Sequence, residues 1–364
     1  MNPPEANRNS TYVGRFAPSP TGPLHFGSLI AALSSYLDAK ANNGIWLVRI
    51  EDLDPPREPE RASKIILDQL HYLGLEWDGT VMFQSSRMEA YQSALDALTQ
   101  KSLTYKCDCT RSSIKAMGSI YNGHCKTREK APTQNYAIRI KTLNEAIRFK
   151  DKIRGYFEQN IGAEIGDFVV LRKDCLFAYQ LAVVVDDDHQ KVTNIVRGSD
   201  LIESTPRQIY LQNLLGLRTP DYAHIPIAVN NQDTKLSKQS FSPGIEAKDG
   251  SILIFKSLKF LGQNPPKSLT AAPVREQLQW AISNWDIHAV PKLVTSEKHH
   301  LPRSDIMYIP RSILVLIVII YLLFLTSIDW INQPQGAWYR PFFVGLLIII
   351  IAAWSHREQD TDEL

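Results

Sequence analysis

The sequence lacks the features that mark secreted and disulfide-rich proteins. Its first ten residues contain no apolar run, so we expect no secretory signal peptide. Only four cysteines occur in 364 residues, and three of them are crowded between Cys107 and Cys125. Such crowding indicates a metal site rather than disulfides in a chain of the reducing cytosol. The fourth, Cys175, has no cysteine nearby and is predicted to be a small core residue.

An excess of charge of either sign is also missing. The chain has 40 Lys and Arg against 38 Asp and Glu, a net charge of +2, so composition alone does not indicate a nucleic-acid-binding protein. A nucleic-acid partner would need a local basic patch. Two short basic runs could supply it: Lys126, Arg128 and Lys130, or Arg139 and Lys141. The sequence contains no internal repeat and no low-complexity segment.

Long apolar runs are absent before residue 300, but two follow it. Residues 312–328 approach the length needed to cross a hydrocarbon core, and residues 342–354 form a second, shorter run with tryptophans at the edges of both. We predict a transmembrane hairpin over residues 308–356, with both ends in the cytoplasm and the rest of the chain tethered to the inner face of the cytoplasmic membrane. Buried helices of a soluble protein and an artefactual fusion of a neighbouring reading frame are the alternatives.

The rest of the chain has the periodicity of an α/β protein. Residues 11–104 predict the alternating strands and helices that begin a doubly wound parallel sheet. Residues 105–166 are Cys-rich and irregular, which we interpret as an insertion. The α/β pattern resumes over residues 167–245, and residues 246–298 predict a small helical subdomain. In the first part, strands are predicted at 11–15 and 45–50, and helices at 26–40, 60–73 and 87–100.

Two segments far apart carry residue types suited to a nucleotide. His25-Phe-Gly-Ser28 follows a predicted strand and begins a helix, whose first backbone amides are unpaired and suit phosphate oxygens. Gly27 lets a ligand approach the backbone closely, and His25 can donate a hydrogen bond to phosphate. In the polar loop Lys235-Leu-Ser-Lys-Gln239, Lys235 and Lys238 can stabilise charge that moves to pyrophosphate. Their order predicts a nucleotide site that includes His25, Gly27, Ser28 and Lys238.

These segments resemble the HIGH and KMSKS signatures of the class I aminoacyl-tRNA synthetases. Further motifs resemble the glutamyl branch of that family, and they are Phe16-Ala-Pro-Ser-Pro-Thr-Gly22, Arg49-Ile-Glu-Asp-Leu-Asp54, Val196-Arg-Gly198 and Thr205-Pro-Arg-Gln208. The resemblance extends over residues 12–284. It implies a Rossmann-like catalytic domain and a ligase that forms a carbon–oxygen bond, with ATP as a substrate and Mg²⁺ as the companion of ATP.

The resemblance also implies glutamate as the amino acid. The guanidinium groups of Arg15 and Arg197 match a carboxylate geometrically, and Glu51 can hold an ammonium group. The alternatives are an ordinary ion pair of Arg197 with a nearby carboxylate and a plain core position for Tyr179. By resemblance, the glutamate contacts are Arg15, Ala17, Ser19, Glu51, Tyr179 and Arg197.

The cysteine cluster predicts one structural zinc ion per chain. Cys107, Cys109 and Cys125 supply three thiolates, and a four-coordinate zinc site needs one more donor. By resemblance, the fourth ligand is Tyr121, whereas general coordination chemistry favours His124. Three buried free cysteines without a metal are the remaining alternative.

The stretch after the lysine loop decides which acceptor we expect. Residues 240–298 are too few for a second RNA-binding domain, since domains usually have about 100 residues or more. The resemblance is strongest to a short paralogue in the glutamyl branch, which implies transfer of glutamate to queuosine at the wobble position of tRNA(Asp). The active site of a monomer would then bind the anticodon stem-loop. A truncated glutamyl-tRNA synthetase that charges tRNA(Glu) and a catalytically silent RNA-binding module are the alternatives.

Overall fold

The computed structural model describes most of the first 292 residues. The described residues are 11–118, 120–121, 123–227, 245 and 249–292. The lysine loop and the predicted hairpin at 308–356 lie outside them. Within the described ranges, no helix is long and apolar enough to cross a membrane.

Ten strands and eight helices, numbered in chain order, make up the described secondary structure besides short helical turns. The strands are β1 (Val13–Phe16), β2 (Ile45–Ile50), β3 (Met82–Phe83), β4 (Thr104–Cys107), β5 (Ala137–Ile140), β6 (Ala146–Asp151), β7 (Gly155–Asn160), β8 (Val169–Leu171), β9 (Asn194–Gly198) and β10 (Asp221–Ile225). The helices are α1 (Phe26–Ala41), α2 (Ala62–Tyr72), α3 (Met88–Gln100), α4 (Arg111–Ala116), α5 (Tyr179–His189), α6 (Thr205–Leu215), α7 (Gly250–Phe260) and α8 (Val274–Asn284).

Parallel strands form the centre of the fold. β2 pairs in parallel with both β1 and β3, and β9 pairs in parallel with β10. The two groups meet where β1 lies beside β9: the Thr193 amide donates to the Val13 carbonyl oxygen at 2.9 Å, and the Val13 amide donates to Thr193 Oγ1 at 2.8 Å. The order is therefore β3-β2-β1-β9-β10, with a topological switch point between β1 and β9. The predicted α/β fold with a parallel sheet is confirmed.

Residues alternate along these strands between an apolar face and a charged face. Val48 and Val196 join a core that α1, α2, α7 and α8 complete. The adjacent positions carry Arg15, Arg49 and Arg197, all buried. Because neighbouring side chains of a strand point to opposite faces, these arginines lie towards the other layer, where α3, α5 and α6 build a second core. Three buried cations on one face have to be matched by carboxylates or by a ligand.

The segment predicted as an irregular insertion contains regular antiparallel structure. β4, β5 and β8 form one antiparallel sheet, and β6 and β7 form a hairpin paired from Ala146–Asn160 to Asp151–Gly155. These strands are short and separated by turns, so their period-2 pattern in the sequence is weak. The hairpin contacts the parallel sheet at its turn, where the Lys152 amide donates to the Tyr222 carbonyl oxygen of β10 at 2.9 Å.

Cys175 also differs from its prediction. It is exposed rather than in the core, and it lies in the turn between β8 and α5 with a φ angle of 65°. Cys175 directly follows three charged residues, Arg172 to Asp174, and the turn places it at the surface.

Candidate active site

A cavity of about 630 Å³ lies at the switch point between β1 and β9. Its position follows from the topology, because ligands of open α/β sheets bind beyond the carboxyl ends of the strands where the strand order reverses. Nine residues predicted from the sequence line this one cavity, and they are Arg15, Ala17, Ser19, His25, Gly27, Ser28, Glu51, Tyr179 and Arg197. The other two, Lys235 and Lys238, lie outside the described residues.

His25 begins helix α1 as its N-cap. Its Nδ1 accepts hydrogen bonds from the amides of Gly27 at 3.1 Å and Ser28 at 3.3 Å, and Ser28 Oγ accepts from the His25 amide at 2.8 Å. Two amides expected to face phosphate are thus already capped by the ring. An Nδ1 that accepts leaves the proton of the neutral imidazole on Nε2, so the cap fixes the tautomer in which Nε2 is a donor.

The buried carboxylate of Asp187 contacts Arg15. Arg15 Nε lies 3.3 Å from Asp187 Oδ1, and the same oxygen accepts from the fully buried Arg49 at 2.8 Å. A second Arg49 nitrogen lies 3.3 Å from Glu51 Oε1. Asp187 and Arg49 together therefore connect Arg15 to Glu51, the arginine and the glutamate that we expected to contact the amino acid.

The charges of this network stabilise one another. Burial opposes the ionisation of Asp187, but Arg15 and Arg49 outweigh it and lower the pKa of the carboxyl. Burial likewise opposes the charge on Arg49, while Asp187 and Glu51 raise its pKa above the ordinary value. Glu51 differs, because burial outweighs its arginine neighbours and raises its pKa. A cation arriving in the cavity beside Glu51 would favour its ionised form.

Arg197 projects from the end of β9 into the same cavity. Its guanidinium donates to His224 Nε2 at 3.1 Å, Thr205 Oγ1 at 2.8 Å, Tyr179 Oη at 3.4 Å and the Leu201 carbonyl oxygen at 3.4 Å. Tyr179 is partly exposed and lines the cavity, so it is not simply a core residue. Burial raises the pKa of its phenol, which keeps the hydroxyl neutral and able to donate.

Sequence reasoning missed the residues that hold this site together. Arg49 was noticed only as part of a motif, and Asp186 and Asp187 were not singled out. Asp186 accepts hydrogen bonds from Gln84 at 2.9 Å and from Tyr91. The available signal was charge inside otherwise apolar segments, since Arg49 lies within the strand segment Ile-Trp-Leu-Val-Arg-Ile and both aspartates follow Leu-Ala-Val-Val-Val.

The three crowded cysteines form a cluster that could hold a metal ion. Among the described residues, the sulfur atoms of Cys107, Cys109 and Cys125 all lie within 4.8 Å of one another, and His124 is not a member of that group. Tyr121 Oη lies 3.3 Å from Cys107 Sγ and 3.6 Å from Cys109 Sγ, and Cys109 and Cys125 are 3.5 Å apart. The phenol oxygen is thus the fourth polar atom of the cluster.

A buried arginine lies against this cluster. The guanidinium of Arg139 is 3.9 Å from the centre of the Tyr121 ring and donates to the Asp167 carbonyl oxygen at 2.7 Å. Burial raises the pKa of Cys107, but hydrogen bonding with Tyr121 and Arg139 outweighs it and brings the pKa to about 7. Gly166 lets the chain pass close to Tyr121, because a Cβ there would lie 2.5 Å from the Tyr121 carbonyl oxygen.

Known proteins share this arrangement to different degrees. A glutamate–tRNA synthetase structure from Elizabethkingia anophelis superposes with a TM-score of 0.63 at 22% identity, covering 93% of this chain and 78% of that one, which shows the common fold. The family described as tRNA synthetases class I (E and Q), catalytic domain, matches residues 12–249.

Sequence similarity is much higher to two curated proteins. The glutamyl-Q tRNA(Asp) synthetase of Citrobacter koseri is 49% identical over 284 residues, 78% of this chain and 95% of that protein. The protein of the same name from Pseudomonas aeruginosa is 47% identical over 292 residues, 80% of this chain and 99% of that protein. About a fifth of this chain thus lies outside each of these matches. The chain belongs to the glutamyl-Q tRNA(Asp) synthetases, within the class I tRNA synthetases (E and Q).

Proposed function

We propose that this protein uses ATP to activate glutamate and transfers the glutamyl group to queuosine at the wobble position of tRNA(Asp). The observation that carries the proposal is the convergence of Arg15, Glu51, Tyr179 and Arg197 in one cavity at the switch point. The match to relatives of that name over nearly their whole length supports the acceptor.

The cavity suits the activation of a dicarboxylic amino acid. Arg15 and Arg197 offer guanidinium forks for a side-chain carboxylate, and Glu51, whose burial raises its pKa, gains a partner when an ammonium group binds beside it. The α-carboxylate of glutamate then attacks the α-phosphate of ATP, which gives glutamyl-adenylate and releases pyrophosphate. The protein contributes position and charge rather than a nucleophile.

The nucleotide is expected over the start of α1. With Nδ1 engaged as the helix cap, His25 presents an Nε2 donor to the phosphates. Gly27 and Ser28 line the cavity at the same end of the helix. Lys235 and Lys238 would complete the site from the loop, and Mg²⁺ would accompany ATP. Ala17 and Ser19 are the remaining proposed glutamate contacts.

The acceptor assignment predicts a clear pattern of charging. Radiolabelled glutamate should be transferred to tRNA(Asp) that contains queuosine, but not to tRNA(Asp) lacking it or to tRNA(Glu). Glutamate-dependent ATP–pyrophosphate exchange should occur without any tRNA. Label on tRNA(Glu) alone would indicate the truncated glutamyl-tRNA synthetase instead. A complete lack of exchange would indicate a silent RNA-binding module and contradict both enzymatic functions.

We further propose that Cys107, Cys109, Cys125 and Tyr121 hold one structural zinc ion. With Zn–S distances near 2.3 Å, the edges of a tetrahedral site are about 3.8 Å long, and edges to oxygen are shorter. The separations of 3.3, 3.5 and 3.6 Å between these four donors are close to that geometry. Zinc would crosslink β4 to the segment around Tyr121, in a part of the chain with little apolar core of its own.

Metal analysis of single variants tests the ligand set. The purified protein should contain about one equivalent of zinc. Cys125→Ser and Tyr121→Phe should each weaken zinc binding by more than the about 10- to 100-fold typical of outer-shell partners, measured by competition with a chromogenic chelator. His124→Ala is the matched control and should bind zinc normally. Weaker binding in His124→Ala with unchanged binding in Tyr121→Phe would exclude the tyrosine.

A further inference from the structure

Arg197 is oriented by a histidine that the expected glutamate contacts do not include. His224 lies on β10, one strand beyond Arg197, and accepts a hydrogen bond from Arg197 Nε at 3.1 Å. Thr205 Oγ1 accepts from another guanidinium nitrogen at 2.8 Å. Two fixed acceptors on different nitrogens define the plane of the guanidinium, and with it the direction in which the remaining N–H groups point into the cavity.

The histidine has one tautomer compatible with these contacts. Arginine nitrogens only donate, so His224 Nε2 must accept and Nδ1 must carry the proton. Nδ1 lies 2.6 Å from Asp151 Oδ2, which accepts that proton's hydrogen bond. Both side chains are fully excluded from solvent. Burial lowers the pKa of His224 despite the neighbouring carboxylate, so the ring is neutral beside the arginine.

Asp151 is itself fixed by the turn of the β6–β7 hairpin. Its Oδ1 accepts from the amides of Ile153 at 2.9 Å, Arg154 at 2.8 Å and His224 at 3.2 Å. Burial opposes ionisation of Asp151, but the hydrogen bonds from His224 and the Arg154 amide outweigh it and lower its pKa. One oxygen is thus committed to backbone donors and the other to the histidine, and the carboxylate cannot rotate without losing these bonds.

We propose that His224 and Asp151 are positioning residues that orient Arg197 for the carboxylate of glutamate, through a series of hydrogen bonds that begins in the β6–β7 hairpin. The inference rests on the proposed function, because it takes Arg197 as a glutamate contact. It assigns the hairpin a part in the amino-acid site, although only Arg197 of this chain of contacts lines the cavity.

Asp151→Asn tests this series of hydrogen bonds, because it replaces a carboxylate with an amide of almost the same shape. Oδ1 is needed by three backbone amides, so the new amide group would face His224 and donate to Nδ1. The ring would then carry its proton on Nε2, and two donors would face each other at Arg197 Nε. We expect the KM for glutamate in ATP–pyrophosphate exchange to rise about 10- to 100-fold, as loss of a hydrogen bond to a charged group implies. The KM for ATP should change little.

Further variants separate orientation from folding. His224→Gln keeps an acceptor for Arg197 and should stay near the wild-type KM for glutamate, whereas His224→Leu should resemble Asp151→Asn. Asp221→Asn is the matched control, since Asp221 is an exposed residue at the start of β10 and pairs with Lys152 in the turn of the same hairpin. Nitrogen-15 NMR of the histidine ring should show protonated Nδ1 in the wild type and protonated Nε2 in Asp151→Asn.

These experiments distinguish failure of the positioning role from failure of the proposed function. Wild-type exchange with an unchanged KM for glutamate in Asp151→Asn would overturn the positioning role alone. Equal rises in both KM values would also overturn it, because they indicate a general structural defect. No glutamate-dependent exchange in the wild type would remove the proposed function and this role together. If Asp151→Asn does not fold, equal effects of His224→Leu and His224→Gln would overturn the role, and loss only in His224→Leu would support it.

Discussion

Replacing Arg197 with lysine is expected to lower kcat/KM for glutamate in ATP–pyrophosphate exchange by about 10²- to 10³-fold, as the loss of one to two hydrogen bonds to a charged group implies. The KM for ATP should stay within a few-fold of the wild type. A lysine keeps the charge, so the loss would measure geometry rather than net charge.

The reason is the number of acceptors to which the guanidinium of Arg197 donates hydrogen bonds. Arg197 donates at once to His224 Nε2, Thr205 Oγ1 and Tyr179 Oη. It does so while lining the cavity. An ammonium group is a compact point charge with three N–H groups rather than five, so it cannot keep these contacts and also bind a carboxylate. The substrate would then compete with the wall for the same three protons.

Arg148→Lys is the matched control for this prediction. Arg148 forms a similar two-point pair with Glu158, at 3.0 and 3.1 Å, but on the exposed face of the β6–β7 hairpin. Exposed pairs contribute little, so exchange should be unchanged. A kcat/KM for glutamate within threefold of the wild type in Arg197→Lys would show that Arg197 does not bind glutamate through its fork.

The sequence could predict features that depend on residues close together along the chain, but not contacts between residues far apart along it. Strand β2 matches its predicted range, 45–50, because six apolar-rich residues between polar turns carry a local signal. The pairing of Asp151 with His224 joins residues 73 positions apart, and Arg15 with Asp187 joins residues 172 apart. No local pattern encodes such pairs, since they depend on how strands and helices are arranged.

The motifs nevertheless anticipated the cavity well. Nine of the residues predicted from the motifs line the same cavity. The motifs do not include the residues that contact them from outside the cavity, such as Asp187 beside Arg15 and His224 beside Arg197. Only the charged positions within apolar strands and helices hinted that such support was needed.

Asp187→Asn is expected to destabilise the folded protein by about 3 kcal/mol or more, as breaking a buried ion pair does. Asp187 Oδ1 is shared by Arg15 and Arg49, and Arg49 is fully buried. Without the carboxylate, Arg49 would keep Glu51 as its remaining charged partner, at 3.3 Å. Thermal or urea unfolding followed by tryptophan fluorescence at neutral pH would measure the loss.

The neighbouring residue provides the control. Asp188 is partly exposed and lies 3.8 Å from Lys191 on the surface, so Asp188→Asn should change the free energy of unfolding by less than about 1 kcal/mol. Equal stability of both variants would mean that the buried carboxylate contributes nothing beyond an amide. Loss of glutamate-dependent exchange in Asp187→Asn, at a temperature where the variant is folded, would further indicate that Arg15 has lost its orientation.

The difference in stability between the wild type and Asp187→Asn should depend on pH, because the pKa of Asp187 is lowered in the folded protein. Burial opposes its ionisation, and Arg15 and Arg49 more than compensate, so the folded pKa lies below the ordinary value of 3.8. The unfolded chain therefore binds a proton first as the pH falls. The stabilisation is fully present well above pH 3.8 and is lost as the pH drops through the folded pKa. The difference in unfolding midpoint between the wild type and Asp187→Asn should accordingly be constant from pH 6 to 8. It should decrease below about pH 4. A gap that widens on acidification would contradict an ionised Asp187 in the folded protein.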